Sequence, residues 1–154
     1  MEFDLSKLKA TGKFELDFDG EYTPARADLC DLPEVQLLSP LRVRGHLSVL
    51  KTSCVVDAEI AYTLAGSCSR CLSPAEKTFI CLLQEEFLGH KNEEGAYTYS
   101  SNRLVLDQAI DDAVAMSLPF HFLCKEDCKG LCPKCGANRN EEPCSCEAEL
   151  YEVN

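Results

Sequence analysis

Residues 41–64 read LRVRGHLSVLKTSCVVDAEIAYTL. Leu41, Val43, Leu47 and Val49 alternate with Arg42, Arg44, His46 and Ser48. After a short break, Val56, Ala58, Ile60, Tyr62 and Leu64 alternate with Asp57, Glu59, Ala61 and Thr63. Successive side chains of an extended chain point to opposite faces, so each run has one apolar and one largely polar face. That is the pattern of a strand with one side on a core. Lys51-Thr52-Ser53 supplies the expected hairpin turn between the two. The stretch predicts an antiparallel pair and sets the fold class: α+β, an antiparallel β-rich domain.

On the N-terminal side, Phe14, Leu16 and Phe18 share one face over 13–18, opposite Glu15 and Asp17, which predicts another strand. Residues 4–9 fit one helical turn. Residues 19–33, with Gly20, Pro24 and Pro33 among charges, read mostly as loop. On the C-terminal side, Gly66 precedes Cys68-Ser69-Arg70-Cys71, placed at a second turn. A third strand of this meander over 76–88 sets Phe79, Cys81, Leu83 and Phe87 on one face. Ile80 and Leu82 on the other predict cover on both sides. Residues 89–102 are a polar loop, and 103–106 a short strand. Leu106, Ile110, Val114 and Leu118 then recur every four residues, which predicts one main amphipathic helix from Asp107, at or near its cap, to a stop at Pro119. The domain reading is 1–119, β-rich with a closing helix, and 120–154, a cysteine-rich zinc-binding segment packed on it. The last eight residues are acidic and read as a frayed tail.

The chain has 154 residues and 45% hydrophobic content, enough for one cored domain or a domain with a small appendage. No apolar run approaches the roughly 20 residues of a membrane helix, and the N-terminus has no signal-like apolar region. A cytoplasmic protein without membrane contact is expected. In a reducing compartment, eleven cysteines point to metal or redox chemistry rather than disulfides. Fifteen basic and 26 acidic residues give a net charge of −11, which argues against broad binding to nucleic-acid phosphates and suits a basic partner.

Six cysteines fall in Cys124–Cys146, CKEDCKGLCPKCGANRNEEPCSC. Cys132-Pro133-Lys134-Cys135-Gly136 has the form of a zinc knuckle. Two cysteines three apart can bite one metal from a tight turn, and Gly136 can take the positive φ the turn needs. Cys144 and Cys146, after Pro143, are the chosen second pair for a structural Zn²⁺. Cys124 and Cys128 are the rival pair, at a spacing that would put both sulfurs on one helical face. Cys68 and Cys71, with Arg70 between them, can serve a second metal or present Arg70 to a partner. A mobile tail of reduced thiols and a thiol redox relay are the other readings of these cysteines. Cys30, Cys54 and Cys81 read as small buried hydrophobes. His46, His90 and His121 share no ligand spacing; His46 reads as exposed, His121 as a helix cap or core contact. The sequence has no GxGxxG, Walker A, GxSxG or HExxH motif, so no enzyme is expected.

Cys68-Ser69-Arg70-Cys71-Leu72, the helix ending at Pro119, Asp127-Cys128-Lys129-Gly130-Leu131-Cys132-Pro133-Lys134-Cys135-Gly136, Asn138, Asn140 and Cys144-Ser145-Cys146 together resemble the YceD family. The resemblance implies a role in accumulation of large-subunit (23S) ribosomal RNA, in bacteria and chloroplasts. With the net charge, the expected role is a non-enzymatic ribosome-biogenesis factor that contacts a basic ribosomal protein or an assembly or processing factor. Ribosomal RNA would then be reached indirectly. Direct RNA binding through Lys125, Lys129, Lys134 and Arg139 is the alternative.

Overall fold

The computed structural model describes residues 1–25, 30–32, 34–89, 96–142 and 144–146. Pro33, His90, Pro143, residues 90–95 of the polar loop and the acidic tail 147–154 lie outside the described residues. β1 (Glu2–Asp4) runs into α1 (Leu5–Ala10), where the Asp4 carboxylate accepts from the Ser6 backbone N–H. β2 (Glu15–Tyr22), β3 (Val35–Val49), β4 (Ser53–Ser67) and β5 (Pro74–Leu88) form an antiparallel sheet in sequence order. β6 (Arg103–Val105) pairs antiparallel with β1 as a separate two-stranded sheet, and α2 (Asp107–Ser117) comes directly after it. Among the described residues the molecule is thus mostly antiparallel sheet with two helices. No helix among the described residues is long and apolar enough to cross a membrane.

The alternation in 41–64 places the core. Leu41, Val43, Leu47, Val56, Ile60, Tyr62 and Leu64 are buried on one face of the sheet. They pack in one cluster with Leu5 of α1, Leu104 of β6, and Leu106, Ile110 and Val114 at and along α2. Fully burying each such side chain contributes roughly 1.5–3 kcal/mol. Two buried hydroxyls are satisfied across this layer: Tyr22 Oη donates to Asp111 Oδ1 at 2.9 Å and Tyr62 Oη to the Ser117 carbonyl at 3.0 Å. Gly45 is required on the core face, where an added Cβ would lie 2.5 Å from the Asp57 carbonyl oxygen and 2.6 Å from Ala58 Cβ. Cys54 and Cys81 are buried in this core, and Cys30 packs against it half-buried.

Three expectations are corrected. β2 extends to Tyr22, into the stretch read as loop, because Tyr22 pairs with Leu41 at the end of a continuous ladder. β3 begins at Val35 rather than near Leu41. The ladder shifts register between Leu38 and Arg42, where Pro40 interrupts the pattern, as a strand proline does at a bulge. β5 is covered on one face only: Ile80 and Leu82 are 62% and 67% exposed, since both helices and the small sheet pack on the opposite side. In addition, His46 is half-buried and His121 is exposed.

The β4–β5 hairpin fixes where the first cysteine pair sits. Its strands are fifteen residues each, paired from Ser53↔Leu88 to Ser67↔Pro74, so residues 68–73 lie at the tip of a long ribbon. The Tyr62–Ser117 bond sets the end of α2 beside β4. From there the chain runs to the tip, where the Ser69 N–H donates to the Phe122 carbonyl at 2.8 Å and Phe122 is buried in the main core.

Candidate metal centres

Eight cysteines gather into two sets of four. In each set the four sulfurs lie within 4.8 Å of one another: Cys68, Cys71, Cys124 and Cys128 in one, Cys132, Cys135, Cys144 and Cys146 in the other. The structure therefore places Cys124 and Cys128 with the Cys68–Cys71 turn, not with Cys132 and Cys135. Among the described residues their segment is bends and turns, not a helix, so the shared helical face anticipated for them does not form.

The donor chemistry of these sets fits a metal. A tetrahedral ion with metal–sulfur bonds of about 2.3 Å separates its sulfurs by about 3.8 Å. Cys68 and Cys128 are 3.8 Å apart, Cys71 and Cys124 3.7 Å, far beyond the roughly 2.05 Å of a disulfide. Backbone groups already point at the sulfurs. Burial alone pushes the Cys68 thiol up, but amides of Cys124, Arg70 and Cys71 outweigh it and bring the thiol down to about 6. Amides of Cys135 and Lys134 bring Cys132 down to about 6. One partner in each set goes the other way. Burial and then the neighbouring thiols push Cys124 up to about 12; Cys135, with burial and Cys132, pushes Cys146 up to about 12. Four sulfurs at this spacing repel one another as thiolates, and a divalent cation among them removes that conflict. Bound there, the ion would act as a crosslink between the chain segments that carry the sulfurs.

The two CxxC turns, Cys68–Leu72 and Cys132–Gly136, both have the form of a knuckle and share one backbone plan. In the second, the Gly136 N–H donates to the Cys132 carbonyl at 2.8 Å and Gly136 has φ +73°. In the first, the Leu72 N–H donates to the Cys68 carbonyl at 2.9 Å and Leu72 has φ +59°. Glycine adopts that region freely, whereas a side chain there costs roughly 1–2 kcal/mol. Leu72 thus stands where the fold suits glycine, and its side chain is 62% exposed.

Side chains between the centres tie them together. Asn140 Nδ2 donates to Cys128 Sγ at 3.4 Å, and its Oδ1 accepts from the Lys129 N–H at 2.9 Å. Asn138 Nδ2 donates to Ser73 Oγ at 3.2 Å, reaching the β5 end of the first knuckle. Arg70 Nη1 donates to the Cys128 carbonyl at 3.1 Å, and the Leu131 N–H donates to the Arg70 carbonyl at 3.1 Å. Arg70 therefore clamps the turn to the 128–131 segment. Gly130, at φ +70°, passes so close that an added Cβ would lie 3.1 Å from the Arg70 carbonyl oxygen. The roles of Asn138 and Asn140 are not evident from the sequence. Their only signal there is an N-x-N two residues past the knuckle glycine.

These elements carry the likeness to known proteins. A family model described as "Large ribosomal RNA subunit accumulation protein YceD" matches residues 56–153, a span that includes both cysteine sets. An uncharacterized protein of Mycobacterium tuberculosis (strain H37Rv) is 32% identical over 152 residues, covering 93% of this chain and 72% of that protein. An uncharacterized protein of Mycobacterium bovis has the same identity and coverage. One from Mycobacterium leprae is 25% identical over 128 residues, covering 73% of this chain and 55% of that protein. No solved structure matches. With β5, α2, both cysteine sets and all but the first three residues of β4 inside the matched span, the chain belongs to the YceD family.

Proposed function

We propose that the protein is a non-enzymatic ribosome-biogenesis factor that promotes accumulation of large-subunit ribosomal RNA by binding a basic protein, either a ribosomal protein or an assembly or processing factor. In this reading Zn²⁺ is structural in both sets, held by Cys68, Cys71, Cys124 and Cys128 and by Cys132, Cys135, Cys144 and Cys146. The observation that carries it is the composition of those sets. Four sulfurs close a tetrahedral ion and leave no position for a substrate or a nucleophilic water. Each closed centre also adds two negative charges to a chain already at −11.

The exposed sheet face supports a basic protein partner. β2 and β4 present Glu15, Asp17, Asp19, Glu21, Asp57 and Glu59, with Arg42, Arg44 and His46 of β3 between them. Two of those three basic side chains are already engaged: Arg42 pairs with Asp19 at 3.0 Å and His46 with Asp17 at 2.7 Å. Co-sedimentation with large-subunit precursor particles tests the reading. Migration at the top of the gradient, with normal ribosomal RNA levels in a deletion strain, would overturn it.

Direct RNA contact rests on Lys125, Lys129, Lys134 and Arg139, all in the cysteine segment. Residues 124–146 also carry Glu126, Asp127, Glu141 and Glu142, so the side-chain charges of that stretch cancel before the thiolates are counted. Affinity for RNA that falls steeply with salt, and is lost on charge reversal at Lys129 and Lys134, would favour this second reading.

A further inference from the structure

Beside the first knuckle lies a groove of about 290 Å³. Its floor is the start of the Cys68 turn. Its walls are the Glu34–Val35 entry to β3 and residues 120–122. Phe120 and Leu72 line it, and both turn large apolar surface to solvent: Phe120 is 94% and Leu72 62% exposed. Local folding does not require either exposure. Leu72 holds a left-handed backbone that glycine would adopt without strain, as Gly136 does in the sister knuckle. Glu34, at the groove edge, is also left-handed, at φ +58°. Its carbonyl oxygen presses on Gly66 so closely that an added Cβ there would lie 2.3 Å away. Two of the four non-glycine residues with positive φ among the described residues thus border one groove. Strained backbone and exposed apolar side chains together mark a binding site better than either alone.

We propose that this groove seats a segment of a basic protein that offers one large apolar side chain, flanked by Lys or Arg, to Leu72 and Phe120. The proposal rests on the function proposed above and names its contact surface. Charge selects the flanking residues. Glu34 lines the groove, no Lys or Arg does so among the described residues, and the adjacent four-sulfur centre carries surplus negative charge when it holds a divalent ion. The same charges oppose a phosphate backbone. A central apolar anchor with a polar rim is the arrangement that concentrates binding energy in few residues.

The test uses the full chain in the cells that make it. Leu72→Gly/Phe120→Ser should lower co-sedimentation with large-subunit precursors by about tenfold or more, with metal content at the wild-type value and an unfolding temperature no lower than that of the wild type. In parallel, Phe120→p-benzoyl-phenylalanine should photocrosslink to a protein, and mass spectrometry should map the link to an apolar residue among Lys or Arg. Four results overturn the inference: wild-type co-sedimentation of the double variant, a crosslink to RNA, a crosslink to a second copy of this chain, or no crosslink. If the double variant co-sediments normally, the groove is wrong and the proposed function stands. If the wild-type chain fails to co-sediment, the function beneath it falls as well.

Discussion

Removing one ligand from each cysteine set should reveal unequal crosslinks. The first set joins Cys68 to Cys128 and Cys71 to Cys124, across sequence separations of 60 and 53. The second closes a loop of only about 12 residues between Cys132 and Cys144, and loop-closure entropy grows as three-halves RT times the logarithm of loop length. The ratio of the two lengths makes the first crosslink worth about 1.4 kcal/mol more by chain entropy alone. Burial acts in the same direction, since Cys68, Cys71 and Cys128 are buried while Cys135 is exposed. Zinc bound only by the folded chain stabilises folding by its binding free energy, so losing the longer crosslink should lower stability more. In a chain of this size about 1.4 kcal/mol corresponds to roughly 3–6 °C in unfolding temperature. Thermal unfolding of zinc-loaded Cys128→Ser and Cys146→Ser, each checked by native mass spectrometry for one remaining ion, measures the difference. Cys128→Ser should melt lower by at least that interval. Equal melting temperatures, or a lower one for Cys146→Ser, would refute the reasoning.

Position 72 offers a backbone test: Leu72→Gly should be more stable than Leu72→Ala by roughly 0.5–1 kcal/mol, because both lose the side chain but only glycine relieves the left-handed strain. Denaturant unfolding decides it, and an alanine variant as stable as the glycine variant contradicts the strain. Asn140→Ala removes the donor to Cys128 Sγ and the acceptor of the Lys129 N–H, and should weaken zinc affinity by roughly 10–100-fold in a chelator competition; unchanged affinity would show that Asn140 only shapes the loop. His46 should titrate above 6.5, because the hydrogen bond and charge of Asp17 favour its protonated form against a smaller opposing effect of burial. A group raised in the folded state contributes stability that is complete below its unfolded value near 6.5 and is lost as pH rises through its folded value. An NMR titration of the wild-type chain and of Asp17→Asn checks this: the wild type at or below 6.5, or no drop in the variant, removes the pairing.

The strands are legible in the sequence where one face is buried and the other wet. The alternation over 41–64 does that with little ambiguity, and the Leu106-to-Leu118 period does it for α2. Ile80 and Leu82 mislead because alternation records which residues share a face, not whether anything covers that face. The start of β3 is hidden by Pro40, which breaks the pattern at a bulge without ending the strand. For the cysteines, spacing identifies pairs that can bite a metal from one turn. Which pairs meet is a tertiary matter, decided by the length of the β4–β5 hairpin and by the place where α2 releases the chain. The strained Leu72 carries no signal of its own. It emerges only when its turn is laid beside the Cys132–Gly136 turn and the same hydrogen bond is found closing both.

Two four-sulfur sets, each spaced to hold one tetrahedral ion, make a countable prediction. Native mass spectrometry of the purified full-length protein tests it most directly. It should detect two zinc ions per chain in the wild type, one in Cys68→Ser and one in Cys132→Ser. A wild-type chain with no tightly bound metal, or with a single ion that both substitutions remove, would contradict it.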